Sequence, residues 1–95
     1  MPFSVVITTA AYSDIHSAIE WENSRSSGLG QRFLVSLHDR FLDISITPKI
    51  GSVRYDNVRC TATKIFKYLI HYVVDDNLKQ VIILRVLHIN RKPIW

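Results

Sequence analysis

The stretch Ile65–Ile89, IFKYLIHYVVDDNLKQVIILRVLHI, decides the fold. Both of its ends are dense in Val, Ile, Leu, Tyr and Phe, side chains that fit a pleated and packed surface. Between them DDNLK, residues Asp75–Lys79, supplies Asp and Asn, which tolerate the backbone of a tight reversal. The pattern predicts two antiparallel strands, IFKYLIHYVV and QVIILRVLHI, joined as a hairpin. Alternation places Phe66, Tyr68, Ile70, Tyr72 and Val74 on one face of the first strand, and Ile65, Lys67, Leu69, His71 and Val73 on the other. In the second strand Gln80, Ile82, Leu84, Val86 and His88 oppose Val81, Ile83, Arg85, Leu87 and Ile89. Both faces are largely apolar, so periodicity leaves open which of them meets the rest of the chain.

Working backwards, VRYDNVRC (Val53–Cys60) has the same character and extends the hairpin to a three-stranded meander. TPKIGS before it, with Pro48 and Gly51, is a break. Upstream of the break Leu29, Phe33, Leu34, Leu37, Phe41 and Ile44 recur at steps of three and four, which predicts a helix from Leu29 to Ser45. SRSSGLGQRF is a turn ahead of that helix. It is not a phosphate loop, because its Gly-x-Gly lacks a Lys-Ser/Thr ending and follows a helix instead of a strand. Ala11, Ile15, Ala18, Ile19 and Glu22 form the stripe of an earlier helix that ends near Ser24–Ser27, with Thr8 and Thr9 as caps. FSVVIT, Phe3–Thr8, is β-branched and too short for a helix, so it reads as a first strand. The resulting class is α+β with order β-α-α-β-β-β: a helical hairpin packed on a mainly antiparallel four-stranded sheet.

Ninety-five residues make a single domain over 1–95, and 47% hydrophobic, 21% charged residues and a mean hydropathy of +0.09 describe a folded globular chain. Twelve Lys and Arg against eight Asp and Glu give a net charge of +4 and a pI near 9.5, which favours anionic partners. The one cysteine, Cys60, excludes an internal disulfide, has no companions at zinc-ligand spacing, and reads as a buried strand residue of a reduced compartment. No apolar run approaches the roughly 20 residues of a membrane span, and MPFSVVITTA lacks a basic leader, so a soluble, cytoplasmic protein without membrane association is expected.

Seven bases, Arg54, Arg59, Lys64, Lys67, Arg85, Arg91 and Lys92, lie in the sheet half of the chain, where the acids are Asp56, Asp75 and Asp76. A cationic sheet surface follows. It serves either to bind an anion or to block pairing at strand edges. His88 beside Arg91 offers a proton-transfer group next to a cation, the pair needed to move a 2′-hydroxyl proton and steady a phosphorus oxygen. His71, among strand aromatics, reads as a hydrogen-bonded core residue, and His16 and His38 as exposed helical ones. No histidine pair has metal-ligand spacing, and no cofactor is implied. Tyr55, Tyr68 and Tyr72 are placed as packing residues ahead of base-stacking ones.

Several segments in order, the Ala11–Trp21 helix with Asp14 and Ile15, then GLGQRFL, ITPKIGSVRYDNVRC, KYLIHYVVDD and VIILRVLHINRKP, resemble the RelE/ParE superfamily of bacterial type II toxin–antitoxin toxins. The resemblance spans nearly the whole chain. It implies a small toxin, of the kind tied to plasmid stabilisation, held in a hetero-oligomer by a cognate antitoxin whose C-terminal segment folds on it. RelE-like members are metal-independent endoribonucleases that cut mRNA on the ribosome; ParE-like members are DNA gyrase inhibitors. By resemblance Arg59, Arg85 and His88 occupy strand positions where the nuclease branch places arginines and a C-terminal acid or base, which makes them the candidate catalytic residues; the basic sheet half itself offers Arg54, Lys64, Lys67, Arg91 and Lys92 as target-binding bases. Ile89 stands where some nucleases carry tyrosine, and only Lys49 and Arg54 precede Arg59 where others cluster lysines. GLGQRFL and VLH before an arginine are similar to the ParE branch, which is therefore favoured. The alternatives are a RelE-like nuclease and a non-toxic domain that only binds its antitoxin.

Overall fold

A computed structural model describes residues 2–90. β1 (Ser4–Ile7) leads into α1 (Thr9–Arg25), which turns into α2 (Leu29–Ile46); a short 3-10 helix at Pro48–Ile50 then opens β2 (Ser52–Tyr55), β3 (Val58–Ala62), β4 (Tyr68–Asp75) and β5 (Gln80–His88). The strands form one sheet in the order β1-β5-β4-β3-β2. β1 runs parallel to β5, and the remaining neighbours are antiparallel.

The expected α+β class and the helical hairpin hold, but the sheet has five strands, not four. VRYDNVRC is not one strand: Asp56 adopts φ 46° and, with Asn57, folds it into a two-residue hairpin between β2 and β3. Asp-Asn between apolar residues is the turn signal that the continuous reading passed over. β4 also begins three residues later than IFKYLIHYVV implies, because Ile65 takes φ 70° and the chain turns there.

Thr8 caps α1 through a hydrogen bond from the Ala11 N–H to its Oγ1 (3.2 Å), while its own hydroxyl donates to the Ile83 carbonyl (2.9 Å). One residue thus ends β1, starts α1 and ties both to β5. Two glycines join the helices for different reasons. Gly28 sits at φ 87°, a backbone that side chains resist, and Gly30 lies so close to α1 that an added Cβ would meet the Ile19 carbonyl at 2.8 Å.

The core lies between the helices and one sheet face. Phe33, Leu37 and Ile44 of α2 and Ala11, Ile15 and Ala18 of α1 pack on Tyr68, Ile70 and Tyr72 of β4 and Val81, Ile83 and Val86 of β5. Complete burial of each large aliphatic or aromatic residue contributes about 1.5–3 kcal/mol. The β5 residues reveal an interruption of the alternation. His71 pairs with Arg85 but Tyr72 pairs with Ile83, so Leu84 is an extra residue. The bulge moves Val86 onto the face of Val81 and Ile83, against the regular strand assumed from sequence.

Candidate functional site

Beyond Ile83 the outer edge of β5 has no strand partner, since β1 ends at Ile7. α1 covers it instead. Asp14 accepts from Arg85 twice, Nε to Oδ2 at 2.7 Å and Nη2 to Oδ1 at 3.0 Å, and Oδ2 also takes the Val86 N–H at 3.0 Å. One carboxylate therefore satisfies both the exposed strand edge and the guanidinium beside it. The Asp14 side chain is 11% exposed and that of Arg85 33%. The bonds to Asp14 push the Arg85 pKa up, so its charge is committed within the chain.

Past this clamp a cleft of about 530 Å³ opens between α1 and the end of β5, lined by Asp14, Ser17, Trp21, Tyr68, His88 and Asn90. His88 lies edge-on to Tyr68, ring centroids 5.2 Å apart. The Asn90 N–H donates to His88 Nδ1 at 3.2 Å, which leaves the proton of the neutral ring on Nε2. Behind the cleft wall the Tyr68 hydroxyl donates to the buried Glu22 carboxylate at 3.1 Å, the reason a glutamate can belong to the apolar stripe of α1.

Arg59 is elsewhere. It pairs with Tyr72, while His88 pairs with Tyr68 at the far end of β4. Four residues at about 3.3 Å each and two strand spacings of about 4.8 Å separate the two positions by roughly 16 Å. The Arg59 guanidinium donates to the Gly51 carbonyl at 2.7 Å. Tyr72 holds the same turn, accepting from the Gly51 N–H at 2.9 Å and donating to the Pro48 carbonyl at 2.7 Å. Burial raises the Tyr72 pKa. Arg59 and Tyr72 together brace the segment that enters the sheet. Arg59, Arg85 and His88 are thus not brought to one point.

The sheet face away from the core carries a second polar cluster. His71, 1% exposed, shares its Nδ1 with the Tyr55 hydroxyl at 3.0 Å, with Cys60 Sγ at 3.6 Å. Burial lowers the His71 pKa, the charges of Arg85 and Arg54 lower it further, and Asp14 opposes them. Burial likewise raises the Cys60 thiol and the Tyr55 hydroxyl. The group is held neutral, in keeping with a packed role. Nothing in the spacing of Tyr55, Cys60 and His71 announced it; the register of β2, β3 and β4 assembles it.

Arg54 is exposed on the edge strand β2, and Lys64 and Lys67 are exposed in the loop between β3 and β4. Arg91 and Lys92 lie outside the described residues. Among the described residues no group of three or more His, Cys, Asp or Glu is placed to hold a metal ion, and no helix is long and apolar enough to cross a membrane.

The family model of the ParE toxin of type II toxin–antitoxin systems, parDE, matches residues 5–93. Among solved structures the chain is similar to one in the toxin–antitoxin complex RelBE2 from Mycobacterium tuberculosis, with 27% identity, a TM-score of 0.70, and coverage of 93% of this chain and 99% of that one. It also shares its fold with a chain of the chromosomal ParDE system from P. aeruginosa, at 14% identity and a TM-score of 0.79 over 93% of this chain and 97% of that one. No curated protein matches the sequence. With a family match over almost its full length and a helical hairpin on the same curled sheet, the chain belongs to the ParE toxin family of type II toxin–antitoxin systems, within the RelE/ParE superfamily.

Proposed function

We propose that the protein is a ParE-like toxin that acts by binding DNA gyrase, and that a cognate antitoxin neutralises it by folding over its surface. The observation that carries this reading is the dispersal of the candidate catalytic set. Arg85 is locked to Asp14, Arg59 braces the Gly51 turn, and His88 lines the cleft past the Asp14 clamp. General acid–base cleavage of RNA needs its proton-transfer group and its phosphate-stabilising cation within reach of one phosphate. Binding needs no such convergence. The family match supports the same branch, and the solved neighbours, being toxin–antitoxin complexes, support the antitoxin. Purified protein added to a gyrase supercoiling assay is expected to block supercoiling or trap cleaved DNA, with relief on adding the antitoxin. Undiminished supercoiling at excess toxin would count against it.

A second reading, a RelE-like endoribonuclease, draws on the 27% identity to the RelBE2 chain and on His88, which lines the cleft and whose Nδ1 accepts from the Asn90 N–H. It expects codon-linked mRNA cuts in a translation extract that vanish with His88→Ala. A non-toxic antitoxin-binding domain is separated from both by expression without the antitoxin, where it alone leaves growth unimpaired.

A further inference from the structure

The loop joining β3 to β4, residues 63–67, holds a conformation its own sequence does not favour. Ile65 has φ 70° and is the central residue of a three-residue turn in which the Phe66 N–H donates to the Lys64 carbonyl at 2.7 Å. This positive-φ γ-turn is rare and strained even for residues without a branched Cβ, and for a β-branched side chain it is an outlier. The other positive-φ non-glycine residues, Asp56 and Lys79, sit in hairpin turns, where such a backbone is ordinary. Ile65 is also 84% exposed, the highest of the exposed large hydrophobic residues described. Gly or Asn would relieve the backbone, and any polar residue would suit the solvent.

The strain persists because the residues around it are pinned. The Ser36 hydroxyl donates to the Lys64 carbonyl at 2.7 Å, and the Ile89 N–H donates to the Lys67 carbonyl at 2.7 Å. The Thr63 N–H donates to the Tyr68 carbonyl at 2.9 Å, and the Phe66 ring packs edge-on against Phe33 at 5.7 Å. Every anchor belongs to a neighbour of Ile65, and the isoleucine side chain itself is turned out. Lys64 and Lys67 flank it, and neither forms an ion pair among the described residues. From Val58 to Val74 the sequence has no acid. In the groove alongside, Arg32 and Arg40 are balanced by Asp39 and Asp43, so the excess charge at the tip is that of the two lysines.

We propose that Ile65 is a pre-set anchor that enters an apolar recess on an acidic protein target, with Lys64 and Lys67 meeting carboxylates at its rim. Stored strain in an exposed, over-determined turn is a mark of a contact residue, and a side chain projected from an already pinned backbone loses little backbone freedom on docking. A protein recess fits better than nucleic acid: an aliphatic tip has no π face for a base, and two lysines neutralise too few phosphates to hold a duplex. The proposal rests on the reading of the protein as a binding toxin and names the contact that reading requires.

The test uses the wild type, Ile65→Asn, Ile65→Gly and the Lys64→Gln/Lys67→Gln pair, each assayed for thermal midpoint, gyrase inhibition, growth arrest and binding to a labelled DNA duplex. Asn accepts positive φ, so Ile65→Asn is expected to melt at or above the wild-type temperature yet inhibit gyrase about tenfold more weakly or worse. Equal inhibition by wild type and both Ile65 variants overturns the anchor. A wild type that arrests growth without affecting gyrase removes the gyrase reading alone, and the anchor then stands if Ile65→Asn fails to arrest growth and falls if it arrests normally. A wild type inert in both assays overturns the two together. Loss of duplex binding with inhibition intact places nucleic acid at the tip and overturns the protein target.

Discussion

Replacing Asp14 with alanine removes the carboxylate that hydrogen-bonds α1 to β5 beyond the bulge. Three hydrogen bonds go at once, two from the Arg85 guanidinium and one from the Val86 N–H. The Val86 N–H, in a residue 2% exposed, is left without its acceptor, which costs about 1–3 kcal/mol. The Arg85 pair contributes less. Its side chain is a third exposed, so water screens it and about 1 kcal/mol is the appropriate scale. Asp14→Ala is therefore expected to lose about 2–4 kcal/mol, a large share of the ~5–15 kcal/mol that stabilises a native domain. Arg85→Met, which leaves Asp14 on the Val86 N–H, should lose only about 1 kcal/mol. Urea unfolding of the two single variants and the double variant measures this directly, with slopes unchanged if the folded state stays intact. The coupling energy should be near 1 kcal/mol. If Asp14→Ala costs under about 0.5 kcal/mol, or if Arg85→Met costs as much as Asp14→Ala, the carboxylate is not the clamp described. The same pair addresses function: Arg85→Met, once corrected for folded fraction, should retain full gyrase inhibition, whereas a nuclease that used Arg85 on phosphate would lose its activity.

His71 gives a pH dependence of determined sign. Its folded pKa lies below the ordinary 6.5 because of burial and the charges of Arg85 and Arg54. The unfolded chain therefore binds the proton first, and stability rises with pH across the window between the two values and is lost as pH falls below about 6.5. Thermal midpoints between pH 5 and pH 8 should show that slope, and His71→Gln should flatten it at some cost in stability. Gly51→Ala introduces a Cβ 2.8 Å from both the Cys60 carbonyl and the Tyr72 hydroxyl, so it should destabilise by about 1–3 kcal/mol in urea unfolding and disturb the turn braced by Arg59. Tyr72→Phe strips that hydroxyl from the Gly51 N–H and the Pro48 carbonyl and should cost about 1–3 kcal/mol, with circular dichroism confirming that the fold persists.

The helices were legible because their signal is local. Ala11, Ile15, Ala18 and Glu22, like Phe33, Leu37, Phe41 and Ile44, repeat at the helical period and are buried together. The DDNLK hairpin was legible for the same reason, and the resemblance carried by the ordered segments led to the family. The Asp-Asn turn between β2 and β3 is also written in the chain, but the β-branched and aromatic residues on both sides of it give VRYDNVRC the look of one run. Strand faces were harder. Both faces of β4 and β5 are apolar, and one bulged residue, Leu84, reverses the alternation beyond it.

Local spacing and turn chemistry, then, determined the class and, but for one strand, the element order of this protein, because side-chain periodicity needs no knowledge of distant residues; the superfamily came from the resemblance. The tertiary structure alone decided how the charges are used. Arg85 meets an aspartate 71 positions away, Arg59 turns to a backbone carbonyl, and His71 is sealed against Tyr55 and Cys60 by the register of neighbouring strands. The strain at Ile65 belongs with these, since its anchors come from α2 and from the residue following β5. Whether a charge is free or spent, and whether a backbone is relaxed or forced, depends on what folding brings beside it, and sequence spacing carries no term for that.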